Sequence, residues 1–178
     1  PPSTGGRLIV ALDNSRFSYA EPDGAHLLET AVRAAAGLLF AAYQTGRPVG
    51  LCCPGGAVLS LSASRFADLK AGFDWLARIR PDGGRTFAGF IERESAHWPQ
   101  DSAPILVTPN ADDALVAAVR KMRVRLSGAT LVLIDGAPVS GWRNRRSMKL
   151  LEEIGCPVLP VAALRDERTE GETEDVIA

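Results

Sequence analysis

Asp13 and Ser15 stand two residues apart in the stretch LIVALDNSRFS, directly after the apolar run Leu8 to Leu12. A continuous apolar run of this kind is read as a strand buried on both faces of a sheet. Polar residues at its exit therefore face a crevice rather than the core. An aspartate with a nearby hydroxyl suits a hard cation. Mg²⁺ or Mn²⁺ takes oxygen ligands, keeps several waters and accepts a carboxylate supplemented by hydroxyls. Thr86, in GGRT, is the natural third donor from another loop. The competing reading gives Asp13 and Ser15 a local task, accepting backbone N–H groups of the crevice loops.

Other chemistries find no matching pattern. No G-x-G-x-x-G follows the first apolar run, and no G-x-x-x-x-G-K-[ST] occurs. PGGAV and DGGRT are glycine turns without a phosphate-binding lysine. A G-x-S-x-G nucleophile elbow is absent, and neither histidine, His26 or His97, lies at a strand exit where it would serve Ser15 as a base. The three cysteines, Cys52, Cys53 and Cys156, lack C-x-x-C spacing and read as small buried hydrophobes. With two histidines and no metal-ligand spacing, a zinc site is not expected.

The elements that must position Asp13 can be read from periodicity. From His26 to Thr45 apolar residues recur at three- and four-residue spacing, which predicts an alanine-rich helix able to sit close to a sheet. PVGLCC and AVLSLS, separated by PGG, predict a hairpin whose second strand is antiparallel. Phe66 to Ile79 reads as a helix with Leu69, Phe73, Leu76 and Ala77 inward, and Trp75 is expected in the core. A short helix follows from Phe87 to Ser95, and Trp98 is expected to pack over the sheet edge. PILVT, ATLVLID and CPVLPVA read as strands, alternating with helices at Asp112 to Leu126 and Arg146 to Ile154. Asp23 and Asp112 are candidate helix caps. Strands alternating with helices predict an α/β fold: a three-layer, Rossmann-like, mainly parallel sheet with one antiparallel edge strand and helices on both faces. Ligands of such sheets bind beyond the carboxyl ends of the strands, where strand order reverses, and the first strand is expected at that point.

Composition bounds the rest. The chain has 178 residues, 46% hydrophobic and 23% charged, with a net charge of −1, which suits one globular domain. Residues 1–6 are expected to be a linker or disordered start, 7–164 the domain, and 165–178 a disordered acidic tail. That tail, RDERTEGETEDVIA, holds six acids and two bases, leaving +3 on the remainder. A nucleic-acid stripe is not expected from this balance. No stretch was expected to reach the roughly 18 apolar residues of a membrane span. The start at Pro1-Pro2, without Met, reads as a fragment or processed piece. The expected location is cytoplasmic, with a membrane tether only through sequence upstream.

The order of these elements, together with DNSRF and PDGGRT, resembles the von Willebrand factor type A domain. Over a narrower stretch, LIVALDNS, the alanine-rich helix and GRPVGLCC look like the C-terminal domain of an uncharacterised bacterial family associated with MoxR-type AAA+ ATPases. The resemblance covers roughly residues 7 to 164. It implies a metal-ion-dependent adhesion site in which Asp13 and Ser15 match the first two ligands and Thr86 the loop threonine. The second serine is Phe17 here, with Ser18 one residue late. The aspartate after the fourth strand is replaced by Thr108, Pro109 and Asn110, of which Asn110 would offer a carbonyl oxygen. The implied site is therefore degenerate, and no cofactor beyond Mg²⁺ or Mn²⁺ is expected.

One more cluster stands out. SGWRNRRSMK carries Trp142, Arg143, Arg145 and Arg146, with Lys149, after a strand ending in Asp135. An aromatic among arginines suits a protein partner, and the resemblance implies a MoxR-type AAA+ ATPase. The favoured expectation is a non-enzymatic interaction domain meeting a protein through this rim. The alternative is a Mg²⁺-dependent phosphoryl-transfer or nuclease-like enzyme using Asp13 and Asp135.

Overall fold

A computed structural model of the chain describes residues 6–56, 58–62, 65–135 and 140–163, and for 140–143 the backbone alone. In chain order the elements are β1 (Leu8–Leu12), α1 (Gly24–Gln44), β2 (Val49–Cys52), β3 (Leu59–Leu61), α2 (Phe66–Ala77), α3 (Phe87–Glu94), a 3₁₀ turn (Ser95–His97), β4 (Ala103–Thr108), α4 (Asp113–Arg123), β5 (Thr130–Asp135), α5 (Ser140–Glu153) and β6 (Val158–Ala162). The fold is mixed α/β. Its six strands form one sheet in the order β3-β2-β1-β4-β5-β6. Only the β2–β3 pairing is antiparallel. The chain extends the sheet from β1 towards β2 and then returns to β1's other side with β4, so strand order reverses between β1 and β4.

Alternation along the strands splits the core in two. Leu8, Val10 and Leu12 of β1 join Val107, Val132 and Ile134 in a cluster completed by Leu27, Ala31, Ala35 and Leu39 of α1 and Leu69 and Leu76 of α2. Ile9 and Ala11 of the same strand join Leu106, Leu131 and Leu133, with Phe90 and Ile91 of α3, Leu115 and Val119 of α4 and Leu151 of α5. Each strand residue thus feeds one cluster or the other, as the period of two demands. All five residues of β1 are buried.

Several expectations are corrected. The helix α1 is long and apolar enough to cross a membrane by length and composition, with a mean hydropathy of 1.2. Here it lies on the sheet and buries Leu27, Ala31, Ala35, Leu39 and Ala42. Asp23 precedes it but makes no side-chain cap. Strand β3 spans three residues rather than six. On α2, Phe73 and Ala77 are exposed rather than inward. The cause is Gly72, where a Cβ would sit 2.3 Å from Leu39 Cδ2. The helix α1 presses onto this bare position, which turns Phe73 out. Trp75 is half-buried at the margin of its cluster, whereas Trp98 is buried. The helix α5 starts at Ser140 rather than Arg146. Residues 1–5 and the acidic tail lie outside the described residues.

Candidate functional site

The exit of β1 is built as a closed hydrogen-bonded knot. Pairing with β4 continues one residue past the strand, through Asp13 N–H to the Val107 carbonyl (2.8 Å). This brings Thr108, the last residue of β4, beside the Asp13 side chain. Thr108 Oγ1 donates to Asp13 Oδ2 at 2.7 Å, and Ser18 Oγ donates to the same oxygen at 2.6 Å. The other oxygen, Oδ1, accepts from the Ser15 N–H at 2.8 Å. Ser15 Oγ accepts in turn from the Phe17 N–H (3.2 Å). Tyr19 folds back to donate its hydroxyl to the Asp13 carbonyl (2.7 Å). Asp13, Ser15 and Thr108 are each fully buried.

This burial sets the electrostatics. Removal from water pushes the Asp13 carboxyl up to about 6, and the charge of Asp112 adds a little. The bonds from Ser18, Thr108 and the Ser15 N–H act in the opposite sense and do not outweigh it. Burial likewise pushes the Tyr19 hydroxyl and the Cys52 and Cys53 thiols up, and Cys156 up to about 11. All three cysteines are buried and free.

Asn14 ties the neighbouring loops to this knot. Its Oδ1 accepts from the Gly55 N–H (3.2 Å), and its Nδ2 donates to the Arg80 carbonyl (3.1 Å). Its backbone carbonyl accepts from the Gly83 N–H (3.0 Å), while Arg16 N–H returns to the Gly83 carbonyl (3.1 Å). Gly83 is required by this close approach, since a Cβ there would lie 2.9 Å from Asn14 Oδ1 and 3.0 Å from its carbonyl oxygen. Beside the junction opens a cleft of about 470 Å³, lined among others by Asn14, Cys53, Trp75, Ile79, Arg80 and Asp82.

The other expected donors are placed differently. Thr86 is exposed and caps α3, its Oγ1 accepting from the Gly89 N–H (3.3 Å). Asn110 is exposed, and its side-chain amide donates to Asp112 Oδ2 (3.5 Å). Asp112 caps α4 as expected, accepting from the Leu115 N–H (2.8 Å). Phe17, where a second serine was sought, is 55% exposed with the Arg16 guanidinium 5.1 Å from its ring centre. Arg145 and Arg146 are exposed on α5. The side chains of Trp142 and Arg143 lie outside the described residues.

This donor set is a poor fit for a hard divalent cation. One carboxylate is present, both of its oxygens are already engaged, and Thr86 and Asn110 serve helix caps and their own loop. Among the described residues no group of three or more His, Cys, Asp or Glu side chains could hold a metal. Asp135 ends β5, which is separated from β1 by β4. By register Asp13 stands level with Leu133, so two strand spacings and a two-residue stagger put the Asp13 and Asp135 backbones about 12 Å apart, and Asp13 is turned onto Ser18 and Thr108.

Four residues of the knot were not singled out by sequence reasoning. Asn14 and Tyr19 carried no signal beyond their place at the strand exit. Ser18 was passed over as out of register, and Thr108 was passed over in favour of Asn110.

No protein-family model matches the chain, and no curated protein matches it. Solved structures do share its fold. The minor pilin PilB of Streptococcus sanguinis aligns with a TM-score of 0.58 at 11% identity, over 92% of this chain and 59% of its own. The pilus adhesin SpaC of Lactobacillus rhamnosus GG gives 0.57 at 10%, over 89% and 28%. Proximal thread matrix protein 1 of the mussel byssus gives 0.55 at 16%, over 88% and 43%. The chain therefore spans less than two thirds of each of these neighbours, and identities this low speak for the fold alone.

Proposed function

We propose that this chain is a non-enzymatic protein-interaction domain of the three-layer, von Willebrand factor A-like type, in which a degenerate metal-ion-dependent adhesion site serves as a structural knot. The observation that carries the reading is the Asp13 carboxylate, fully buried and engaged by the Ser15 N–H and the Ser18 and Thr108 hydroxyls. A ligand-bridging metal needs an open carboxylate. A structural hub needs a closed one. The partner then meets the rim around this knot directly, through Phe17 and Arg16 at the β1 exit, the loop of Thr86, and the start of α5 with Trp142, Arg143, Arg145 and Arg146. Aromatic and arginine side chains are the types that dominate protein interfaces. The partner class is a MoxR-type AAA+ ATPase, on the strength of the sequence resemblance.

Thermal unfolding with and without about 10 mM Mg²⁺ or Mn²⁺ tests the knot, on the native chain and on Asp13→Ala. A site with Kd near 0.1 mM would add about 2.7 kcal/mol, several degrees in a domain of this size. The expected result is no shift in either protein. A shift confined to the native chain would restore the metal-bridged reading. Capture of an AAA+ ATPase lost in both Phe17→Ala and Arg146→Glu tests the rim, and capture unchanged in both would remove it.

A further inference from the structure

The two faces of the sheet are covered unequally. Helices α3, α4 and α5 feed one hydrophobic cluster, while α1 and α2 alone feed the other. On that second face Val107, Val132 and Leu159 stand level in neighbouring strands. Val107 and Val132 are buried, but Leu159 is 55% exposed. Ile105, Thr130, Val161 and Ala163 of the same face are only half-buried. A cleft of about 410 Å³ opens there, lined among others by Arg47, just past α1, and by Leu8, Ala103, Ile105 and Thr130. The helical cover therefore ends short of β6. The width left is that of one helix: β4 and β6 lie two strand spacings apart, about 10 Å, and a helix is about 10 Å across.

The helix that borders this groove is apolar on its outer side as well. Residues 34–43, AAAGLLFAAY, carry no charge over almost three turns, whereas a surface helix ordinarily turns polar residues away from the core. Gly37 and Phe40 stand opposite the buried stripe of Ala31, Ala35, Leu39 and Ala42. Phe40 is 45% exposed, and a Cβ on Gly37 would meet nothing within 4 Å. Leu39 meets Gly72 of α2 on one flank of the helix. Ala34, Leu38 and Ala41, at i, i+4 and i+7, form the other flank, beside the groove.

We propose that this face is a two-fold interface with a second copy of the chain, in which α1 of each copy fills the groove of the other. The outer side of α1, with Gly37 and Phe40, then covers Ile105, Leu159 and Val161 of the second copy. The two α1 helices lie side by side through Ala34, Leu38 and Ala41. One molecule thus carries both an unfilled groove and a helix with an apolar outer side on the same face, the self-complementarity that a two-fold contact requires. The footprint, about 30 Å of helix by two helix widths, is about 600 Å². That is near the roughly 800 Å² per partner that a stable contact buries. The rim around Asp13 lies at the strand ends, outside this face, so the contact stands whether or not an AAA+ partner uses the rim.

Sedimentation equilibrium of the full chain tests this over about 1 μM to 1 mM, the range of weak to moderate association. The expected result is a mass that rises from monomer to dimer. Phe40→Glu and Leu159→Glu should each hold the chain at the monomer mass, since they charge the helix and the groove separately. Val124→Glu, at an exposed apolar residue after α4, should leave the dimer intact. A chain that stays monomeric, a dimer that survives Phe40→Glu or Leu159→Glu, or one lost equally in Val124→Glu overturns the proposal. A dimer that forms only once residues 165–178 are removed would assign the groove to the chain's own end and overturn it. A monomer that co-sediments with phosphatidylcholine vesicles, and no longer does so in Phe40→Glu, would assign the face to lipid and overturn it too. Far-ultraviolet circular dichroism matching the native chain confirms that each variant is folded.

Discussion

Burying a carboxylate beneath hydroxyls leaves a pH signature that Asp13 should show. Its folded value of about 6 lies above the ordinary 3.8, so the folded state holds the Asp13 proton more tightly than the unfolded chain does. The stability it contributes is complete below about pH 4 and is lost as pH rises through about 6, a swing of about 3 kcal/mol. Asp13→Asn keeps the shape and removes the buried charge. Its amide oxygen takes the Ser15 N–H, and its amide N–H groups donate to the Ser18 and Thr108 hydroxyls, which turn to accept. Urea unfolding should find Asp13→Asn at least as stable as the native chain near pH 8, with the rise between about pH 7 and 5 flattened. Asp13→Ala leaves the Ser15 N–H without its acceptor and should fall about 1–3 kcal/mol below the Asn variant. An Asn variant that keeps the full pH dependence would mean that another group titrates. Asp13 and Ser15 were legible in the sequence because polar residues stood out against LIVAL. The bond from Thr108 was not, because it spans 95 residues and follows from strand register. Ser18 was hidden by the turn that Ser15 and Phe17 form, which turns Phe17 outward and lets the next residue reach back to Asp13.

The loops hold their places through element-to-element bonds. Asn144 of α5 accepts from the Ala111 N–H at 3.1 Å and is buried, which fixes the segment between β4 and α4 against a helix 33 residues away. Asn144→Ala should cost about 1–3 kcal/mol by orphaning that N–H, and amide exchange should quicken at Ala111 to Leu115 first. Gly83→Ala should loosen the 78–86 loop from the β1 exit, because the new methyl group meets Asn14 on two atoms. A cost of about 1–3 kcal/mol is expected, read as a lower urea midpoint, and an unchanged midpoint would show that the loop yields freely. Periodicity placed most of the helices and strands in the sequence because burial follows it closely. It failed where one contact outweighs pattern. Phe73 satisfied a helical apolar stripe, but the bare Gly72 lets Leu39 choose the packing face. The helix α5 begins six residues before the expected Arg146, because SGWRNRR carries no apolar stripe of helical spacing to show it.

Both hydrophobic clusters are hung on the same four interior strands, β2, β1, β4 and β5, and this couples them. Residues Leu8, Val10 and Leu12 face one cluster while Ile9 and Ala11 face the other, so β1 cannot loosen on one side alone. The edges differ: β3 has three residues and pairs only with β2, and β6 is exposed at Leu159 and Pro160. The α/β class and the antiparallel edge were legible at this scale, since alternating elements and the PGG turn leave few arrangements. The position of the β1 exit at the strand-order reversal followed from the same rule. A consequence is that unfolding should be one cooperative transition. Amide exchange should be slowest in β1 and β4 and fastest in β3 and β6. Leu39→Ala in one cluster and Val119→Ala in the other test the coupling. Each should cost about 2–5 kcal/mol for the Leu and somewhat less for the Val, and each should lower protection in β1 by its full equilibrium cost. If Leu39→Ala speeds exchange in α1 and α2 while β1 and α4 keep native protection, the two faces open separately and the sheet does not unify them.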